Sequence, residues 1–183
     1  MIASMRWAAA AAVLGLAACG GGDDKASAPG EATSPSNRTL AASVADNGEL
    51  GALERVLANA GLNTVLEGTG PYTVFAPNDA AFTAAGGADL GTEAMKAQAA
   101  ALLRAHIVPG ALTRADIEAS MARGGSGTVE MRTMANTLLT FSREGEAIVV
   151  AGEGGARGRL AGQETVASNG VVQPVDGVLV KGG

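Results

Sequence analysis

Chemically reactive side chains are scarce in this sequence of 183 residues. It has one cysteine, Cys19, and one histidine, His106. One cysteine cannot form an intramolecular disulfide bond, and one histidine excludes multi-histidine metal sites. The glycine-rich stretches lack the lysine and the spacing of a phosphate-binding loop. From this inventory we expect no catalytic residue, no metal site and no cofactor, and therefore a protein that is not an enzyme.

Aromatic and basic residues are also few. Aromatic residues make up 3% of the chain, so the core must be built from aliphatic side chains, with Tyr72, Phe75, Phe82 and Phe141 as its large members. Lysine and arginine total 13 against 18 acidic residues, which gives a net charge of −5. The basic residues form no run or stripe, so we expect no nucleic acid among the partners.

The longest apolar run near the start is too short to cross a membrane. Residues 7–16 are apolar, whereas a membrane-spanning helix needs about 20 such residues. With Arg6 before it, the run predicts a signal peptide over residues 1–18. It ends in Leu16-Ala17-Ala18-Cys19-Gly20, which resembles the bacterial lipobox. The resemblance implies cleavage before Cys19 and lipidation of its thiol; the alternative is an ordinary secretory leader that leaves a free thiol.

A flexible tether follows the predicted lipidation site. Residues 20–38 are rich in Gly, Ser, Pro, Ala and Asp and show no apolar periodicity. A chain of this length has a root-mean-square reach of about 20–25 Å. We therefore expect a domain over residues 39–183 that is held near the membrane by the lipid on Cys19. The expected location is the cell envelope, on the periplasmic or the cell-surface face of the outer membrane.

Residues 72–82 combine a strand, a stop and the start of a helix. Residues 72–76 are rich in β-formers and predict a buried strand. Pro77 cannot donate to a strand ladder, so the strand should end there. Asn78 is then placed to cap a short helix on which Phe82 turns back towards the core. A strand joined to a helix in this way has two apolar faces for the rest of the chain to cover.

The pattern before residue 125 is helical and the pattern after it is extended. Apolar residues at helical spacing predict helices at 40–44 and 50–60, and Gly61 is placed to end the second of these. A third helix is predicted from a cap at Thr92 to about residue 105. A fourth is predicted from a capping box of Thr113 and Asp116 to Gly124. Residues then alternate with period two over 129–133 and 139–142, and an apolar stretch follows at 147–151, which predicts strands. Asn169-Gly170 predicts a type I′ turn, and Pro174 predicts that its strand lies at an edge or carries a bulge. Helices followed by strands, with no internal repeat, predict a single α+β domain.

Three stretches resemble, in order, the signature motifs of fasciclin-like (FAS1) domains. The first contains Thr73-Val74-Phe75-Ala76-Pro77, the second lies at 102–110 and the third at 167–179. Together they cover most of the chain after residue 39. The resemblance implies the FAS1 fold, a β-sandwich or wedge with helices packed against it. It also implies an extracytoplasmic adhesion or binding module with a protein or polysaccharide partner.

The resemblance also supplies candidate contact residues. His106 matches a histidine that is discussed in the family for both packing and adhesion. Asp116-Ile117 matches an aspartate-isoleucine element that has been proposed as a receptor contact. Each candidate has a structural alternative, in which His106 bonds a backbone carbonyl at a helix-to-strand junction, Asp116 closes a helix cap and Ile117 packs inward.

Two other functions compete with adhesion. A periplasmic carrier or accessory domain would hold a small apolar ligand between the helices and the sheet. A spacer or weakly self-associating module would bind no foreign partner.

Overall fold

The computed structural model describes residues 36–181, which belong to a unit spanning Ala32–Gly183. The predicted signal peptide, Cys19 and most of the predicted tether lie outside the described residues. The α-helices in the described part are α1 (Leu40–Ala45), α2 (Gly51–Ala60), α3 (Asn63–Glu67), α4 (Asp79–Ala84), α5 (Lys96–His106) and α6 (Arg114–Arg123). Short 3₁₀ segments lie at Gly87–Gly91, Glu93–Met95 and Glu153–Gly155.

The strands form two sheets of four strands each. They are β1 (Tyr72–Pro77), β2 (Ile107–Pro109), β3 (Thr128–Arg132), β4 (Leu138–Glu144), β5 (Ala147–Ala151), β6 (Arg157–Arg159), β7 (Thr165–Ala167) and β8 (Gly170–Val175). The mixed sheet has the order β2-β1-β8-β7, with β1 parallel to β8 and its other pairs antiparallel. The antiparallel sheet has the order β3-β4-β5-β6. Helices that precede most strands, with two sheets, confirm the predicted α+β class.

Strand β1 separates two apolar clusters because successive side chains of a strand point to opposite faces. Val74 and Ala76 pack in a cluster with residues of helices α1, α2, α4 and α5, among them Leu53 and Leu103. Phe75, which lies between them in sequence, packs in a second cluster with residues of the antiparallel sheet. This alternation confirms that the 72–76 strand has two apolar faces that the rest of the chain covers.

Helix caps also agree with the sequence pattern at the centre of the fold. The Asn78 side chain accepts a hydrogen bond of 2.8 Å from Ala81 N at the start of α4. Asp79 lies in the first turn of α4 and also bonds a second helix, since its Oδ1 accepts a hydrogen bond of 2.7 Å from Ala52 N of α2. It therefore caps α2, whose own N-cap residue makes no side-chain bond. Gly61 ends α2 with φ 68°, as predicted.

The predicted start of α5 is wrong. Thr92 does not cap this helix, which begins at Lys96 after a 3₁₀ segment. The Thr92 hydroxyl instead donates a bond of 2.7 Å to the carbonyl of Asp89. Threonine side chains bond nearby backbone groups in several ways, and the preceding turn supplies the competing partner here.

The predicted type I′ turn is also wrong. The turn residues are Ser168 and Asn169, because Ala167 pairs with Gly170 and Gly170 already belongs to β8. A type I′ turn needs positive φ at both central residues, and Asn136 is the only non-glycine residue with positive φ in the described range. Gly170 is required for another reason, since an added Cβ would lie 1.9 Å from Tyr72 O. The glycine lets β8 approach β1.

Of the two expectations for Pro174, an edge strand or a bulge, the edge strand is wrong. Its strand, β8, lies between β1 and β7. Pairing with β7 extends only to Val172, so Pro174 lies beyond the end of its neighbour. The Pro174 carbonyl accepts a bond from Ala161 N, which places the proline nitrogen on the side that faces away from β1. The missing N–H therefore removes no ladder bond from the centre of the sheet.

Candidate functional site

His106 lies at the junction of α5 and β2, and its side chain is fully buried. Its Nδ1 lies 2.8 Å from Leu102 O, and Leu179 N donates to its Nε2 at 2.9 Å. Since Nε2 accepts, Nδ1 carries the proton and donates to the carbonyl. Burial lowers the pKa of His106 from 6.5 to about 4, while the bond to Leu102 raises it. The neutral ring thus ties the end of α5 to the segment that follows β8.

This histidine is expected to make stability depend on pH. The unfolded chain takes up a proton below pH 6.5, whereas the folded chain resists it down to about pH 4. Stability is therefore fully present above pH 6.5 and falls as the pH drops through this window, by about 3 kcal/mol for a shift of this size. Urea unfolding of the wild type and of His106→Gln at pH 7.5 and 4.5 measures the effect. We expect a clearly smaller loss in the variant; equal losses in both proteins would show that His106 is not the titrating group.

Asp116 and Thr113 form a complete capping box at the start of α6. Thr113 Oγ1 accepts a bond of 3.2 Å from Asp116 N, and Asp116 Oδ2 accepts bonds from Thr113 N at 3.0 Å and Thr113 Oγ1 at 2.6 Å. These bonds from Thr113 lower the pKa of Asp116, and the charge of Arg123 lowers it further. The cap predicted from the sequence is present, and the carboxylate is exposed and ionised at neutral pH.

The three candidate contact residues differ from one another in solvent exposure. Ile117 is fully buried and packs in the cluster between the sheets, together with Leu179, the residue bonded to His106. His106 is also fully buried, so Asp116 is the exposed member of the three. The three residues therefore form no continuous surface. His106 and Ile117 lie in the protein interior, and only Asp116, at the start of α6, reaches solvent.

The exposed side of α6 forms a mixed-charge surface around Asp116. We call this the α6 surface and define it by its exposed residues, which are Ala115, Asp116, Glu118, Ala119, Ala122 and Arg123. Glu118 forms an ion pair with Arg143 of β4. Arg123 donates to the Ser120 hydroxyl at 3.0 Å.

A polar cluster that the sequence does not predict anchors the start of α6. Gln173 is fully buried on β8, and its Nε2 donates to Leu112 O at 3.1 Å and to Glu164 Oε2 at 2.6 Å. The same carboxylate oxygen accepts from Arg114 N at 2.8 Å, and Arg114 Nε donates to Gln173 Oε1 at 3.3 Å. These bonds fix α6 against the mixed sheet. The only sequence signal is a glutamine inside an apolar strand.

The described residues hold no group of three or more His, Cys, Asp or Glu side chains that would bind a metal ion. Within residues 36–181, no helix has both the length and the apolar character to cross a bilayer.

Comparison with known families decides what kind of domain this is. The family model described as "Fasciclin domain" matches residues 48–181. The chain belongs to the fasciclin domain family. This confirms the resemblance seen in the sequence motifs. Fasciclin domains are adhesion-type modules that are extracellular or surface-associated.

Individual relatives of this fasciclin domain are distant. Stabilin-1 of Homo sapiens is 30% identical over 156 residues, which cover 84% of this chain and 6% of that protein. Protein sll1483 of Synechocystis sp. (strain ATCC 27184 / PCC 6803 / Kazusa) is 26% identical over 160 residues, which cover 86% of this chain and 81% of that protein. The chain thus spans a small part of Stabilin-1 and most of the cyanobacterial protein.

A solved structure shows the same fold. A FAS1 domain pair from the insect cell adhesion molecule Fasciclin I superposes with a TM-score of 0.67 at 16% identity, over 79% of this chain and 51% of that chain. This likeness confirms the predicted FAS1 fold. Because the sequence identity is only 16%, this structural likeness supports a conclusion about the fold and not about function.

Proposed function

We propose that this chain is a lipid-anchored fasciclin domain that binds a protein or polysaccharide partner outside the cytoplasm and catalyses no reaction. The observation that carries the proposal is the fasciclin family match over residues 48–181, since domains of this family are adhesion-type modules. The lipobox-like residues before Cys19 support anchoring in the cell envelope, on the periplasmic or the cell-surface face of the outer membrane.

The α6 surface is the candidate contact region. The Asp116 carboxylate uses Oδ2 for the capping box, and within the described residues Oδ1 has no hydrogen-bond partner. The cap holds the carboxylate in one place, so a partner would lose little conformational entropy in ordering it. Arg123 on the same helix offers a cation, so the surface presents groups of both signs. A donor-rich partner, such as a sugar hydroxyl array or a polar protein loop, matches these groups.

Anchoring predicts that Cys19→Ala will abolish lipidation. The altered chain should then appear in the soluble fraction or remain uncleaved, because no acyl chain is attached to hold it. Membrane fractionation and intact-mass measurement of the processed protein test this. Ser27→Ala, in the tether, is the matched control and should stay with the membrane. Processed, membrane-bound Cys19→Ala protein would contradict the anchor.

Partner binding is tested by capture. The Ala32–Gly183 unit is immobilised by its N-terminus and exposed to extracts of cell envelope and extracellular matrix, with an unrelated protein of equal net charge as control. We expect a specific protein or polysaccharide, identified by mass spectrometry and sugar analysis. A folded domain that retains nothing would contradict the proposal. Concentration-dependent dimers in sedimentation velocity, with nothing retained, would assign the surface to weak self-association instead.

A further inference from the structure

A cavity of about 570 Å³ lies between α5, the 3₁₀ segment after α4, and the segment that follows β8. Most of its lining is apolar. The large apolar side chains around it are those of Phe82, Leu90, Met95, Leu102, Val178 and Val180. Between them the wall is made of small residues, which include Ala85, Ala101, Ala105 and Ala135. The small side chains create the space, and the large ones make it apolar.

Residues 178–180 form one wall of the cavity and are held in place by contacts of Leu179 with the core. Leu179 is fully buried in the cluster between the sheets, and its N–H donates to His106 Nε2. Val178 and Val180 line the cavity, whereas Leu179 between them packs in the core cluster. The segment also packs closely on Gly152, where an added Cβ would lie 1.9 Å from Leu179 O. The cavity wall is therefore preformed.

The size and the lining of the cavity limit the ligand. A volume of about 570 Å³ lies in the range of small-ligand sites and leaves room for a ligand of about 10–15 heavy atoms. Ligand cavities of this kind combine apolar walls with a few polar groups that set the orientation. Here the polar groups are Gln98 and Thr137, together with two charged residues on different segments, Asp89 and Lys181.

We propose that this cavity binds a linear monocarboxylate of about ten to twelve carbons. Its methylene chain would lie against Phe82, Leu102 and Val178, and its carboxylate would face Lys181. Asp89, on the 3₁₀ segment, repels the carboxylate from the other wall, so the two charges favour one orientation. A neutral chain of the same length would gain the apolar contacts but not the attraction to Lys181.

Calorimetric titration of the Ala32–Gly183 unit with decanoate tests the site. Both apolar clusters lie within residues 40–179, so this unit contains the whole core of the described residues. We expect saturable binding of one decanoate per chain, which Ala101→Trp weakens at least about tenfold by filling the cavity. Ala97→Trp is the matched control, because Ala97 is exposed on the same helix and does not line the cavity. Wild-type protein that shows no saturable binding, or equal weakening by the two tryptophans, would overturn the proposal.

Two charge variants test the orientation. Lys181→Gln should weaken decanoate binding about five- to tenfold and leave decanol binding unchanged. Asp89→Asn should strengthen decanoate binding, because it removes a like charge. Equal effects of Lys181→Gln on decanoate and decanol would contradict the assigned carboxylate position. Partner capture by the α6 surface does not depend on this cavity, so failure here leaves that proposal standing.

Discussion

Replacing Phe75 by alanine should lower the free energy of unfolding by about 3–5 kcal/mol. Phe75 is fully buried on β1, and its ring centroid lies 5.1 Å from that of Phe141 on β4. This tilted pair joins the mixed sheet to the antiparallel sheet, together with Ile117 and Leu179. Truncation removes the transfer free energy of the ring and leaves a cavity that rigid strands on both sides cannot close.

Urea unfolding followed by circular dichroism measures the loss from Phe75→Ala. Leu138→Ala is the control, because Leu138 is the exposed large apolar residue of the described chain, at 38% exposure, and its truncation should cost under about 0.5 kcal/mol. A loss below about 1 kcal/mol for Phe75→Ala would mean that the two sheets do not share this core.

Replacing Asn169 by alanine should lower the free energy of unfolding by about as much as Phe75→Ala, because it removes buried hydrogen bonds. The buried Asn169 side chain accepts from Leu40 N at 2.8 Å and donates to Leu66 O at 2.8 Å and to Gly68 O at 2.7 Å. It thereby ties the start of α1 and the end of α3 to the β7–β8 turn. Each buried group left without a partner costs about 1–3 kcal/mol; the bonds to Leu40 N and Leu66 O are buried and the one to Gly68 O is only partly buried, so we expect a total of about 3–5 kcal/mol.

Two further variants separate this role from an effect on the turn. Ser168→Ala changes the neighbouring turn residue, whose side chain is exposed, and should alter the unfolding free energy by less than about 0.5 kcal/mol. Asn169→Asp keeps the acceptor for Leu40 N but places a carboxylate against two carbonyls, so it should destabilise at least as much as alanine. Equal small effects at both positions would show that Asn169 acts only in the turn.

Much of the fold follows from local sequence signals. The strand and cap at 72–82, the glycine that ends α2 and the capping box at Thr113 are set by residues within a few positions of one another. Such signals compete with few alternatives, because propensity, capping and apolar spacing agree there. The alternating strands β3 and β4 and the apolar strand β5 were predictable for the same reason.

The incorrect predictions lie where a distant partner decides the conformation. Asn169-Gly170 suits a type I′ turn locally, but the asparagine is used by α1 and α3 and the glycine by β1. Pro174 suggests an edge strand, but β8 is central and only its neighbour β7 is short. No pattern within ten residues of these positions encodes such contacts, so tertiary packing overrode the local preference.

The candidate site was predictable in part. The sequence motifs indicated His106, Asp116 and Ile117, but their exposure depends on packing by the C-terminal segment and by the antiparallel sheet. The hydrogen bond from Leu179 to His106 joins residues 73 positions apart, and that from Arg114 to Gln173 joins residues 59 positions apart. The cavity has the same origin, because its walls come from three separate stretches of chain.

The most direct test of partner binding compares two variants of one helix cap. Asp116→Ala removes the exposed carboxylate and the cap, whereas Thr113→Ala removes much of the cap, at a cost of about 1 kcal/mol, and keeps the carboxylate. We would titrate the partner captured from envelope or matrix extract against wild type and both variants, all folded at the working temperature. Affinity that falls at least about tenfold in Asp116→Ala and is retained in Thr113→Ala would establish the α6 surface as the contact region. Unchanged affinity in both variants, or an equal loss in both, would contradict it.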